Sequence, residues 1–165
     1  MARAETWQRL RYFDHASGVD NWGDPGAIAD ELLLRLDDFR HWLGVPVIVT
    51  AGVKVTGHAS KSFHYVANGA CAVDIVIPDY HNCMADLVLD ASRFGFTGIG
   101  LYPDWQYRGE VIGGLHLDTR PLKWDSDDTR NYNQSRWMGL RGDDGKQYYT
   151  NLDFANLRAN GCLAE

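Results

Sequence analysis

The residues of this chain that could do chemistry fall in two short stretches. The first, GHASKSFHYVANGACAVDIVI (57–77), puts His64 and Asp74 in a loop of small residues that runs into an apolar strand. The second, GGLHLDTR (113–120), carries His116 and Asp118. Two imidazoles and one carboxylate are the ligand set of a three-coordinate zinc site whose fourth position is left for water. Spacing alone does not bring them together, because a lone histidine is more commonly a hydrogen-bonded surface or core residue. The fold has to make the site.

The elements that must do so are readable in outline. DPGAIADELLLRLDDFRHWLG (24–44) reads as a helix, with Asp24 as N-cap, Pro25 in the first helical position and Gly44 after the end. Ile28, Leu32, Leu36, Phe39 and Leu43 give it one apolar stripe. VPVIVTA (45–51), ACAVDIVIP (70–78), GIGLY (98–102) and LHLDT (115–119) read as strands. In the last of these, His116 and Asp118 face one side because strand side chains alternate. A second helix is expected over about 82–94, stopped by Gly95. Residues 103–114 read as a loop carrying Trp105, Tyr107, Arg108 and Glu110. Near the start, Trp7, Leu10, Tyr12 and Phe13 are expected to cover one side of the core. Beyond Pro121 a polar stretch leads to RWMGL and KQYYT around RGDDG, a β-hairpin, and then to a short helix near 152–159. This tail offers either a packing appendage or a contact for substrate or partner. The expected architecture is one α+β domain over 1–165, with a small, mainly antiparallel sheet and packed helices. Its core spans about 24–122 and its C-terminal appendage about 123–165.

Composition narrows the function. The chain is 45% hydrophobic and 23% charged, ordinary globular values, with a net charge of −6. An acidic balance argues against nucleic acid as the main ligand, since phosphate binding needs a basic face. The three cysteines, Cys71, Cys83 and Cys162, are widely spaced and suggest neither a disulfide framework nor a cysteine metal site. No apolar run reads as a signal peptide or membrane span, so synthesis in a cytoplasm is expected, with no membrane partner.

The pattern G-H-x-S-x-S-x-H-Y, then A-x-D-I, G-I-G-x-Y-P and H-x-D-T-R resembles the zinc D,D-carboxypeptidase and L-alanyl-D-glutamate endopeptidase family of peptidoglycan peptidases. The hedgehog signalling domain shares that fold. The likeness runs from about Asp24 to Arg120 and leaves out the tail. It implies a hedgehog/DD-peptidase-like fold and a zinc ion on His64, Asp74 and His116. It also implies hydrolysis of amide bonds in peptidoglycan stem peptides or cross-links, by water activated on the metal. By position, Asp118 would orient a ligand histidine. Ser62 would hold the loop or bind substrate. Lys54 stands where many members have an arginine that contacts the substrate carboxylate or oxyanion; lysine brings the charge without the bidentate fork. His58, Trp105 and Tyr107 are candidate substrate contacts.

Two departures from the family pattern stand out. His64 and Asp74 are separated by YVANGACAV, about three residues more than usual. A general base commonly lies three residues before the last histidine, where this chain has Gly113. Glu110, six before His116, is the nearest acid and the candidate base, against a plain reading as an exposed loop glutamate. Asp118 and His58 are the other options. These departures keep a second reading open, a non-catalytic zinc-fold module with a binding or structural role, for example in a virus particle. For the peptidase reading, the expected setting is a phage or prophage lysin, delivered by a holin or carried in a virion to the cell wall.

Overall fold

A computed structural model describes residues 3–56, 61–121 and 135–164. Its centre is a six-stranded sheet in the order β1-β2-β6-β3-β7-β8. The strands are β1 (Ile48–Ala51), β2 (Ala72–Val76), β3 (Gly98–Tyr102), β6 (Gly114–Asp118), β7 (Ser135–Arg141) and β8 (Gln147–Asn151). A separate small hairpin, β4 (Gln106–Tyr107) with β5 (Glu110–Val111), occupies part of the stretch expected to be loop. All pairings in the large sheet are antiparallel except β3 with β7. Among the described residues, four α-helices complete the mixed α+β fold: α1 (Ala4–Arg9), α2 (Asp30–Leu43), α3 (Met84–Arg93) and α4 (Phe154–Ala159). None is long and apolar enough to cross a membrane.

Alternation along the central strands divides the sheet into two unlike faces. Val73, Ile75, Ile99, Leu101, Leu115, Leu117, Met138 and Leu140 belong to one hydrophobic cluster with Leu32, Leu33, Leu36 and Phe39 of α2 and Leu87, Val88 and Ala91 of α3. The intervening residues are Asp74, His116, Asp118, Gly98, Gly100, Tyr102, Trp137 and Gly139, and they form the other face. The apolar positions thus anchor a sheet whose reverse side is chemically rich.

Several expectations need correction. Helix α2 begins at Asp30, not after Asp24, and Ala29 occupies its N-cap in an extended conformation. The amide of Ala29 donates to Ala70 O (3.1 Å), which ties this point to the loop before β2. Asp24 instead accepts from Gly26 N (3.1 Å) and closes a turn over the proline. Ile28 is fully buried all the same, but from that turn. Tyr12 is 41% exposed, so only Phe13, with partly buried Trp7 and Leu10, joins the core. Strands β1 and β2 are shorter than expected, and α3 is trimmed to Met84–Arg93.

The C-terminal hairpin forms as expected, but it is built into the main sheet rather than appended to it. Strand β7 lies between β3 and β8, and its Met138 is fully buried. The polar segment 123–134 lies outside the described residues.

Candidate metal centre

Strand register sets the first two donors. Asp74 of β2 stands directly opposite His116 of β6, so both side chains rise from adjacent strands on the same face. His64 comes from the loop between β1 and β2. Lys54 N donates to His64 O (2.9 Å) and Val66 N to Lys54 O (3.2 Å), stitching that loop to the segment that follows β1. The longer His64–Asp74 connection is taken up by a 3-10 turn at Val66–Asn68, with Gly69 and Ala70 both at positive φ. Asn68 Nδ2 donates to Ser62 O (2.7 Å) and closes the bulge. The extra residues therefore turn outward and leave the donors together.

His64 Nε2, Asp74 Oδ1 and His116 Nδ1 meet pairwise at 3.0–3.2 Å. The far nitrogen of each imidazole decides its tautomer. His64 Nδ1 is 2.8 Å from the carbonyl of Gly52, which can only accept, so Nδ1 carries the proton and Nε2 presents its lone pair. His116 Nε2 is 3.0 Å from Asp118 Oδ2 and donates to it, so Nδ1 faces inward. Two nitrogen lone pairs and a carboxylate oxygen then crowd one point, and they need either a shared proton or a cation between them. The buried His64 and His116 with half-buried Asp74 form a group that can hold a metal ion.

The electrostatics agree with that need. Burial lowers the His116 pKa, but hydrogen bonds to Asp118 and Asp74 outweigh it and push it up to about 9. Burial raises the Asp74 pKa, yet hydrogen bonds from His116 and His64 hold the carboxyl well below the usual range. Asp118 is fully buried and still ionised, because Arg120 and His116 both donate to it. Arg120 reaches it through its backbone amide (3.1 Å), Nε (2.7 Å) and Nη2. The Arg120 guanidinium in turn lies 4.3 Å over Phe63 and 5.5 Å from the Trp137 ring. The chain Arg120–Asp118–His116 fixes one donor imidazole in orientation and tautomer.

A cavity of about 590 Å³ opens over the three donors. Ser62 and Trp105, two of the residues considered as substrate contacts, line it. Ser62 Oγ also accepts from His64 N (3.3 Å), so the serine holds the loop as well. Lys54 is exposed and is not among the residues lining this cavity, whereas Lys61 is. Tyr107 and Glu110 line a different cavity, with Ile48, Pro78 and Asp79. Gly113 has φ +70°, and a β-carbon there would come 2.4 Å from Met84 Sδ, so the backbone leaves no room for an acid at that position. His58 lies outside the described residues.

Among the wall residues that the sequence did not single out are Tyr102, Trp137, Gln147 and Tyr149. The last three belong to the tail. Their signal was the alternation of β7 and β8, which can be assigned to a face only once β7 is known to pair with β3. No protein-family model matches the chain, and no curated protein matches it.

Proposed function

We propose that the protein is a zinc-dependent peptidase of the hedgehog/DD-peptidase type, hydrolysing amide bonds in peptidoglycan stem peptides or cross-links as a phage or prophage lysin. One observation carries the reading: two imidazole nitrogens and a carboxylate oxygen converge, and the far nitrogen of each histidine is tied to an acceptor. Zinc suits the donor set, and tetrahedral ligands about 2.0–2.1 Å from the ion stand about 3.3 Å apart, close to the spacing seen here. Zinc bound there supplies Lewis acidity, letting water ionise near neutral pH and drawing charge from an amide carbonyl. His64, Asp74 and His116 hold the ion, and Asp118 with Arg120 keeps His116 from turning. Phe63, Trp105 and Trp137 wall the cavity with apolar surface that excludes bulk water from a bound peptide. The peptidoglycan substrate and the lysin setting are supported by the motif resemblance.

A metal-holding module without catalysis is the competing reading, and one observation favours it. Among the described residues, Asp74 is the only carboxylate lining the cavity, and none of them is a second acid placed to move a proton. Incubating the purified protein with bacterial sacculi, with and without chelator, decides between the two. Release of peptides that stops on chelation and returns with zinc supports the peptidase. Stoichiometric zinc with no release supports the module.

A further inference from the structure

We propose that the hydroxyl of Tyr102 is a catalytic group of this site, donating a hydrogen bond to the carbonyl oxygen of the bound amide as that oxygen gains negative charge. The inference rests on the peptidase reading. The wall of the cavity offers a fixed donor there.

Tyr102 lines the same cavity as the three metal donors and is only 6% exposed. Three contacts immobilise it. Its ring stacks on Trp105 with centroids 4.1 Å apart and planes 16° from parallel. The ring also fills the space above Gly139, where a β-carbon would come 2.1 Å from it. Trp137 Nε1 donates to its hydroxyl oxygen at 3.1 Å. Indole can only donate, so this bond occupies an acceptor position and leaves the tyrosine proton to point elsewhere. The hydroxyl also has Tyr149 as a hydrogen-bond partner. Tyr149 is 65% exposed, a side chain that a substrate oxygen can replace.

The other donors on the walls are less suited. Arg120 is committed to Asp118, while Lys61 and Gln147 are exposed and unconstrained by comparison. Burial, more than any other influence, raises the Tyr102 pKa above the usual phenol range, so the hydroxyl keeps its proton at neutral pH. It therefore acts as a donor and not as a base, and no proton has to leave it during the reaction. A donor already aimed and shielded from water stabilises a developing oxyanion without reorganisation, and removing one such donor costs about 10²–10³ in rate.

The test compares wild type, Tyr102→Phe and Trp137→Phe in hydrolysis of stem peptides, with zinc content and thermal melting measured on each. A phosphinate dipeptide, a tetrahedral mimic of the attacked amide, is titrated in parallel by calorimetry. Tyr102→Phe is expected to lower kcat about 10²–10³-fold with KM nearly unchanged, and to weaken phosphinate binding by a similar factor. Trp137→Phe should give a smaller loss of the same kind. Wild-type kcat in Tyr102→Phe overturns the proposal, and so does a loss that accompanies lost zinc or lowered melting, since the role is then structural. A wild-type protein that releases no peptide overturns the peptidase reading and this proposal with it, an outcome distinct from an active wild type with an unaffected variant.

Discussion

Gly100 lies beneath the indole of Trp137, so close that a β-carbon on the glycine would come 2.4 Å from the ring. The two are paired in register across β3 and β7, and Gly100 is paired with His116 on its other side. The missing side chain lets Trp137 lie down beside the His116 ring, with centroids 5.2 Å apart. Gly98 does the same for Asp118, whose carboxylate sits 2.2 Å from where a β-carbon would be. The glycines of the GIGLY strand are therefore the floor of the site.

Replacing Gly100 by alanine should force the indole upward and cost about 1–3 kcal/mol, the usual penalty of overpacking. Urea denaturation of the metal-free protein measures it. The same change should weaken zinc binding by displacing the wall beside His116. Unchanged stability would mean that Trp137 is free to move.

Asp118→Asn keeps the shape but removes the charge that faces His116 and Arg120. Zinc affinity, read by competition with a chromophoric chelator, is expected to fall about 10–100-fold. The variant should also be less stable, because the half-buried Arg120 guanidinium loses its buried counter-charge.

The pH dependence follows from His116. Its folded pKa, pushed up to about 9, lies above the ordinary imidazole value of 6.5, so the metal-free protein gains stability from it that is full below about pH 6.5 and lost as pH rises through about 9. Such a shift corresponds to a gain on the order of 3 kcal/mol, shared with Asp74 rather than additional to it. On the proposed reading, zinc would reverse the trend, because Nδ1 must give up its proton to bind a metal. The melting-temperature gain on adding zinc should therefore grow between pH 6.5 and 9. A zinc-induced gain that is flat over this range would contradict the assignment of Nδ1 as the ligand atom.

Glu110→Ala is expected to leave zinc affinity and peptide release at wild-type levels, since this exposed side chain lines a cavity apart from the metal donors. A loss of about 10²-fold or more in kcat, the signature of general-base removal, would restore the glutamate to the mechanism.

Much of this arrangement is legible in the sequence. His64, Asp74 and His116 stood out as the donor types of a metal site, and the motif resemblance added Asp118. The alternation of LHLDT already set His116 and Asp118 on one side. Strands β1, β2, β3 and β6 and the two longer helices were visible in their residue patterns, although the start of α2 was not. Asp24 and Pro25 carry a good helix-start signal, but the bond from Ala29 N to Ala70 O, a long-range contact, delays the helix to Asp30.

What the sequence by itself determined was the inventory: which residues can ligate, which strands are apolar on one side, and where turns fall. Local chemistry and periodicity act over a few residues, and they suffice for that. Only the tertiary structure decided the company these residues keep. The parallel pairing of β3 with β7 brings Trp137 and Tyr149 to the cavity from a tail that had no chemistry of its own, and the hairpin carries Glu110 to another one. Strand partners far apart in sequence are chosen by the burial of whole faces, a property of the assembled sheet that no single stretch contains.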